Sequence, residues 1–490
     1  LNYYICMDMN RIEAVKQFVS KNKYNIVLLF IYFIITTITM FHHEIWRDEA
    51  QVWCLTRDLN FLEILNTSRV EGHPFLWYLI VTPFSKLGVN VFSLQIISLI
   101  FVFASVIYFV FKSPFNNFFK TIFVLSAGML YYLPIITRNY ALIPLFLFIL
   151  AEAYPQRTSK PWNYTILLIL LSQTHILMLG FCAILFILFG IEKLKECIEN
   201  KNYKKLIPPL ILAVYFLVML LLFYSVPGEN KIITNYTNRG YSISNTIMTF
   251  MYTYWNLVAY IPILTLILYF SFFVILFRLF VLDKKMFLTF FGGFVYIIAV
   301  LNKFWFGGIP YQKVFIPFLI LVFCLWVIKN NNLNNSVFAK EKLLKFTVSI
   351  LFIISFITSY GSVRMDIKYN FSGAKQLSEY IRKNLNSEDT FIIIGLPYTF
   401  TTLSAYIPDK KLYLYQTGKY LTFYNFNKED NQNKAPFPEN SEYYIVQNNY
   451  ELKEDMGFQK VFSTQKENLS GIMEQEVFSI YKKKTNQNAL

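Results

Sequence analysis

Charged residues are scarce in this chain. They make up only 15% of its 490 residues, whereas 55% are hydrophobic and 19% are aromatic. A soluble protein carries about 25% charged residues, so this sequence holds too little charge to cover the surface of a soluble protein of its length. Its apolar content also excludes a disordered chain. Together with a mean hydropathy of +0.41, this composition indicates that a lipid bilayer is the main solvent.

A disulfide or zinc framework is also missing. The cysteines form no CxxC pair and no evenly spaced set, which argues against both kinds of site; they are Cys6, Cys54, Cys182, Cys197 and Cys324. The net charge of +15 comes from short Lys and Arg clusters between apolar runs. Such clusters are typical of the loops of membrane proteins, so no nucleic-acid partner is expected.

Long apolar runs are abundant. Residues 1–24 are polar and basic and lack a small-residue cleavage site, so the first run is expected to be a retained span. The polar Gln173, Thr174 and His175 divide one long run into two short helices. The sequence thus predicts eleven spans, at 25–41, 91–111, 120–136, 139–153, 206–226, 258–282, 286–302, 311–328 and 343–359, with two more inside 163–190.

The charge distribution predicts the orientation. Segment 75–88 is short and carries Pro83 and Lys86. If it does not cross, the loops on the amino-terminal side hold 20 Lys and Arg residues and the opposite loops hold 9. The positive-inside rule then favours a cytoplasmic amino terminus in a multi-pass protein of the plasma membrane. Segment 75–88 is expected to lie along the outer surface or to re-enter the membrane.

The predicted fold class is a polytopic α-helical membrane protein with a small α/β domain. The domains expected are a cytoplasmic segment 1–24, a transmembrane domain 25–360 with an outer loop at 42–90, and an extracytoplasmic domain 361–490. The last has no spanning run and nearly balances 16 basic against 15 acidic residues. Its patterns predict a helix over Gly373–Leu385 and strands over Thr390–Ile394, Lys411–Tyr415, Glu442–Val446 and Glu476–Tyr481.

Ionisable residues converge on the outer face in this topology. Such residues are costly near a membrane and usually functional, so they mark a candidate site, although anchoring of helix ends is the alternative. The set consists of His42, His43, Arg47, Asp48, Glu49, Glu71, His73, Arg138, His175, Lys303 and Lys313.

The start of the first outer loop carries adjacent carboxylates. Asp48 precedes a helical pattern with apolar positions at Val52, Trp53 and Leu55. A carboxylate in the first turn of a helix is stabilised by the helix dipole, so Asp48 is expected to stay ionised. A plain N-cap is the alternative. The neighbouring Glu49 favours base chemistry or the binding of a cation.

Two motifs in this loop resemble a known family. The DEA sequence that begins at Asp48 is followed about 20 residues later by EGHPFLWYL. This pair resembles the bacterial family 39-type glycosyltransferases of the GT-C fold, relatives of the protein O-mannosyltransferases and of the aminoarabinose transferase of lipid A. Arg138-Asn139-Tyr140 is similar to the family's R-x-Y element, and Thr174-His175 is similar to its T-H-Y element.

The resemblance implies an extracytoplasmic active site, a polyprenyl-phosphate donor of a hexose or pentose, and inversion at the anomeric carbon. It implies that Asp48 is the base and Glu49 its catalytic partner. The chain departs from the family pattern in two places. Pro74 is followed by Phe75 where many members have a second proline, and 133–138 lacks a second acid.

The chemistry calls for a base at the acceptor hydroxyl, cations at the departing phosphate, and groups that orient both substrates. The candidates for the phosphate are Arg47, Arg138, Lys303 and Lys313. The candidates for substrate binding are Glu71, His73, Tyr140, His175 and Tyr311. The acceptor is a lipid, a glycan or a protein, and a divalent cation is left open. The alternatives are a flippase for polyprenyl-linked lipids, against which the uncharged spans and missing repeat argue, and a glycan ligase of the same fold.

Overall fold

The structure is a computed structural model. It describes residues 13, 16–224, 243–257, 262–304, 311–331, 341–385, 389–424, 435–447, 450–453, 456–472 and 475–484. The membrane part consists of helices α1 Lys23–His42, α2 Arg47–Asp58, α3 Phe61–Val70, α4 Leu76–Lys86, α5 Ser93–Lys112, α6 Asn117–Val124, α7 Ile143–Ala153, α8 Pro161–Ser172, α9 Ile176–Asn200, α10 Ile207–Tyr224, α11 Ile243–Leu257, α12 Pro262–Leu282, α13 Lys284–Phe304, α14 Tyr311–Asn330 and α15 Lys342–Lys368.

Within the described residues, eight helices are long and apolar enough to cross a membrane: α1, α5, α9, α10 with the turn before it, α12, α13, α14 and α15. The protein is therefore a polytopic membrane protein, as the composition predicts. The two helices expected within 163–190 are α8 and α9, which meet at His175. The eleven crossings counted from the sequence stay a prediction.

Two segments differ from the predicted spans. The run at 120–136 is broken into α6 and a π-helical turn, Gly128–Tyr132. Helix α11 begins at Ile243, inside a segment expected to be a loop. Its first turn contains the polar residues Ser244, Asn245 and Thr246. They lower the local hydropathy, so hydropathy alone does not predict that a helix begins here.

Helix α14 lies at the centre of the membrane part, with 89% of its span buried. Gly128 lies where the π-helical turn meets this helix. A Cβ atom at Gly128 would come within 2.2 Å of the Phe315 ring, so a glycine is required for this close approach. The contact lies two residues after Lys313, near the start of α14.

The outer loop predicted at 42–90 folds into α2, α3 and α4. Helix α4 has 11 residues and is about 16 Å long, too short to cross a hydrocarbon core of about 30 Å. Its path relative to the membrane surface stays a prediction. Helix α15, in contrast, has 27 residues and is about 40 Å long. It is thus longer than the hydrocarbon core, and its last turns carry Asp366 to His43 at the outer loop.

The carboxy-terminal part is an α/β unit, as predicted. It contains helices α16 Ala374–Asn384 and α17 Thr401–Tyr406 and strands β1 Thr390–Ile394, β2 Lys411–Leu414, β3 Lys419–Tyr420, β4 Tyr443–Gln447, β5 Phe458–Ser463 and β6 Phe478–Lys483. The strands form one sheet in the order β3-β2-β1-β4-β6-β5. β1 is parallel to β2 and β4, and the outer pairs are antiparallel.

The α/β unit packs directly on the outer loop. Helix α17 lies against α2, and its Ala405 belongs to the same apolar cluster as Trp53 and Leu55. The backbone N–H of Ile45 donates to the Tyr406 hydroxyl at 2.8 Å. The start of α2 is thus held between the membrane helices and the soluble unit.

Candidate active site

Glu49 fixes the first turn of α2. Its Oε2 accepts a hydrogen bond from the backbone N–H of Trp46 at 2.7 Å, which caps the helix. Its Oε1 accepts from both the backbone N–H and the hydroxyl of Thr137, the latter at 2.7 Å. The side chain is fully buried. Glu49 therefore ties the start of α2 to the segment that ends at Arg138.

A buried histidine extends this network to α15. His43 Nε2 lies 3.3 Å from Glu49 Oε2, and His43 Nδ1 lies 2.8 Å from Asp366 Oδ2. Burial alone would lower the pKa of His43, but the two carboxylates outweigh it and raise that pKa to about 10. The ring is thus an imidazolium that donates to both acids. With these donors around it, the Glu49 carboxylate is engaged in structural hydrogen bonds, and its catalytic partnership with Asp48 stays a prediction.

Asp48 presents a different environment. Its side chain is 41% exposed, and its Oδ2 forms an ion pair with Nη1 of Arg138. Its Oδ1 lies 3.7 Å from Nε of Arg47. Crowding by protein atoms raises the pKa of Asp48, but the charges of Arg138, Arg47 and Lys313 outweigh this and keep the pKa below its ordinary value. Asp48 is therefore a reachable carboxylate that its basic neighbours keep ionised.

The Arg138 guanidinium bridges two parts of the outer loop. It holds Asp48 through Nη1, while its Nη2 lies 3.3 Å from Nε2 of His73. Burial, together with the positive charges of Arg138 and Lys313, lowers the pKa of His73 to about 3. His73 is therefore a neutral imidazole beside a cation.

Two further predicted residues join this cluster. The ring of His175 lies 5.3 Å from that of His73 and is stacked on that of Tyr140 at 4.4 Å, centroid to centroid. All three rings are buried. The segment that contains Arg138 and Tyr140 and the turn between α8 and α9 are therefore brought together beside Asp48.

Lys313, at the start of α14, is also buried, with 5% of its surface exposed. Its amino group is close enough to act electrostatically on Asp48, His73 and His175. The side chains of the other two candidates at this end, Lys303 and Tyr311, lie outside the described residues.

Glu71 lies beside α2, close enough to Arg138 and Asp48 for their charges to act on its carboxyl group. Its carboxylate accepts a hydrogen bond from Nε2 of Gln51 at 2.8 Å and another from the Tyr78 hydroxyl. Burial raises the pKa of the Glu71 carboxyl. The Gln51 amide also donates to the carbonyl of Tyr424 at 2.7 Å and accepts from its N–H at 2.9 Å. Glu71 is thus joined to the α/β unit through α2.

His42 does not belong to the cluster. Its Nδ1 lies 2.8 Å from the carbonyl of Ile38, one turn back in α1, and its side chain is exposed. Its position at the end of α1 fits the alternative role of anchoring a helix end.

The α/β unit supplies residues that the sequence did not reveal. Arg47 lies between two rings, with its guanidinium carbon 4.8 Å from the centroids of Trp46 and Tyr398. The backbone N–H of Arg47 donates to Oε1 of Glu476 at 3.3 Å. Neither Tyr398 nor Glu476 belongs to a recognisable motif, because each reaches the site only through the folding of a distant segment.

Among the described residues, no group of three or more His, Cys, Asp or Glu side chains is arranged to hold a metal ion. The four described cysteines, Cys54, Cys182, Cys197 and Cys324, are free and buried. The ion-pair partners of Asp48 are the guanidinium groups of Arg138 and Arg47.

Comparison with known proteins identifies the fold. A crystal structure of ArnT from Cupriavidus metallidurans bound to undecaprenyl phosphate is similar to this chain with a TM-score of 0.53 and 9% sequence identity, and the match covers 94% of this chain and 98% of that one. No protein-family model matches the sequence, nor does any curated protein. The shared architecture extends over both parts of the molecule and confirms the GT-C fold.

Proposed function

We propose that this protein is an integral-membrane glycosyltransferase that moves a sugar from a polyprenyl-phosphate donor to an acceptor hydroxyl at the extracytoplasmic face. The observation that carries the proposal is the ionised and reachable carboxylate of Asp48, held against Arg138 at the start of α2. The fold adds support, because a protein of the same architecture was crystallised with undecaprenyl phosphate.

The proposed reaction is a single displacement. Asp48 takes the proton of the acceptor hydroxyl while the acceptor oxygen forms a bond to the anomeric carbon. The bond from that carbon to the phosphate oxygen breaks, and its electron pair leaves with the polyprenyl phosphate. Attack opposite the leaving group inverts the anomeric carbon. Because the departing phosphate is a stable anion, it requires positive charge more than it requires a proton.

The cations around Asp48 suit that leaving group. The Arg138 guanidinium can bind two phosphate oxygens at once, and the buried amino group of Lys313 can donate hydrogen bonds to the same phosphate. In the proposed mechanism, the phosphate takes Arg138 from Asp48 as the donor binds. Losing that cation raises the proton affinity of Asp48 at the moment a base is needed.

The roles of the other candidate residues are proposed from their positions. Arg47 would contact the phosphate or the acceptor from its place between two rings, while Glu71 orients the substrate side of α2. Lys303 and Tyr311 stay proposals from the sequence. We place the site outside and the amino terminus in the cytoplasm, because that arrangement follows the positive-inside rule.

Transfer from a defined donor tests the proposal. The purified protein is incubated with a panel of undecaprenyl-phosphate sugars, hexoses and pentoses, together with candidate lipid, glycan and protein acceptors. We expect release of undecaprenyl phosphate with at least one donor, and the new glycosidic bond in the product to have inverted configuration. The product bond also separates a transferase from a glycan ligase.

A second arm addresses transport. In liposomes that contain the protein, a flippase would move polyprenyl-linked sugar between leaflets without releasing polyprenyl phosphate. Translocation without bond cleavage across the whole donor panel would contradict the proposed reaction.

A further inference from the structure

The hydrogen bonds of His175 fix its tautomer. The backbone N–H of Leu177 donates to Nδ1 of His175 at 3.0 Å, where the histidine caps α9. Because a backbone N–H can only donate, Nδ1 must be the acceptor, and the ring carries its proton on Nε2. That Nε2 is buried and has no hydrogen-bond partner among the described residues.

The tautomer of His73 is fixed in the same way by a different donor. Arg138 Nη2 lies 3.3 Å from Nε2 of His73, and a guanidinium can only donate. Nε2 is therefore the acceptor and the ring proton is on Nδ1. This Nδ1 is also buried and lacks a partner within the described part of the chain.

The two N–H donors belong to neighbouring rings, whose centroids are 5.3 Å apart. Tyr140 stacks on His175, and its buried hydroxyl has no partner among the described residues either. A buried donor without an acceptor costs free energy, because it loses its hydrogen bonds to water and gains none in the protein. A cluster of such unsatisfied donors in a native fold therefore indicates a functional role or a bound ligand.

The charge around these donors indicates what they bind. The positive charges of Arg138 and Lys313 act on both histidines. Two N–H groups and a hydroxyl beside the Arg138 cation and the Lys313 amino group match a ligand whose oxygens accept hydrogen bonds and carry negative charge. A phosphate monoester has that chemistry, whereas a sugar hydroxyl also brings a proton that needs an acceptor.

We infer that His73, His175 and Tyr140 form a neutral donor pocket for the phosphate oxygens of the polyprenyl phosphate. The inference rests on the proposed function for the identity of the lipid. It assigns the two histidines to hydrogen bonding in place of proton transfer. In this arrangement Arg138 has two roles. It fixes the tautomer of His73, and its positive charge stabilises the phosphate that the pocket binds.

Binding of undecaprenyl phosphate to the full-length protein in detergent tests the pocket, measured by native mass spectrometry without any turnover. Tyr140→Phe removes one hydroxyl and keeps the stacked ring. We expect it to weaken binding about tenfold, the effect of losing a hydrogen bond to a charged group. His175→Phe keeps the stack but removes the Nε2 donor, and a similar loss is expected. Undecaprenol, which lacks the phosphate, should bind far more weakly than undecaprenyl phosphate.

Tyr164→Phe is the matched control. Tyr164 lies in α8, is also buried and also has a hydroxyl without a partner among the described residues. Its ring packs against Tyr154 and Phe189 and contacts neither of the two histidines. This variant should bind undecaprenyl phosphate as the wild type does. Melting temperatures without lipid show whether each variant is folded.

The inference is overturned if folded Tyr140→Phe and His175→Phe both bind undecaprenyl phosphate with unchanged affinity, or if undecaprenol binds equally well. Its failure is distinct from failure of the proposed function. If wild-type protein transfers sugar while the variants keep phosphate binding, the pocket assignment alone is wrong. If the variants lose phosphate binding and no donor is turned over by the wild type, the pocket stands and the reaction is wrong.

Discussion

The carboxyl group of Glu476, in the α/β unit, accepts a hydrogen bond from the backbone N–H of Arg47 at 3.3 Å. Arg47 is the first residue of α2 and directly precedes Asp48. The first N–H groups of a helix have no partner inside it, so a distant acidic residue satisfies one of them. The α/β unit is thereby built into the turn that carries the proposed base.

This contact makes Glu476 a positioning residue. Glu476→Ala leaves the Arg47 N–H without its acceptor and frees the turn. Because a small misplacement of a reacting group is costly, we expect sugar transfer to fall about tenfold with little change in donor KM. Glu476→Gln retains an acceptor oxygen and should restore most of the rate. Equal losses in both variants would argue against the positioning role.

Stability should depend on pH through the same junction. Burial raises the pKa of Glu476 to about 8 and that of Glu44 to about 7. The folded protein then binds more protons at these groups than the unfolded chain does, so their contribution is greatest at low pH and is lost as the pH rises toward 8. We expect the melting temperature to fall between pH 5 and pH 8, and to fall less in Glu476→Gln, which mimics the protonated acid. An unchanged slope in that variant would contradict this assignment.

Local patterns predict part of this site. Asp48 lies at the start of a helix in the sequence pattern and in the first turn of α2 in the structure, and the turn at His175 follows from polar residues inside an apolar run. The role of Glu49 could not be predicted, because it depends on Thr137, which lies 88 positions away. The contribution of Glu476 depends on the folding of the α/β unit, 429 positions from Arg47. Partners brought together by the fold carry no signal in the local sequence.

Glu49→Gln separates a structural role from catalytic pairing. An amide NH2 in place of either oxygen would face donors, the Trp46 N–H on one side and the two donors of Thr137 on the other. Leaving such donors unsatisfied costs about 1–3 kcal/mol each, so the variant should melt at a clearly lower temperature. Added Mg²⁺ or Mn²⁺ should not restore activity. A variant of wild-type stability that is rescued by metal would instead support a cation site.

Accessibility labelling tests the orientation. Asn117 is exposed at the start of α6, and the described native cysteines are buried. In a Cys6→Ser background, Asn117→Cys should react with an impermeant maleimide only when the cytoplasmic side is opened. A cysteine at exposed Tyr450, in the α/β unit, should react in intact spheroplasts. The reverse pattern would invert the map and put the proposed site in the cytoplasm.

Asp48→Asn is the most direct test of the base. The side chain keeps its size and can still accept a hydrogen bond from Arg138, so folding should be preserved. Removing a general base costs about 10²–10⁴ in rate, and we expect a loss of that size in sugar transfer with a matched donor. Binding of undecaprenyl phosphate should persist, because a negative charge is removed beside the phosphate.

Asp58→Asn provides the control for Asp48→Asn, since Asp58 is the last residue of the same helix and pairs with Arg57. That variant should transfer sugar at the wild-type rate. If instead Asp48→Asn retains near-full transfer, another group takes the proton of the acceptor. The ion pair with Arg138 would then serve to hold the guanidinium for the phosphate, and Asp48 would be a positioning residue.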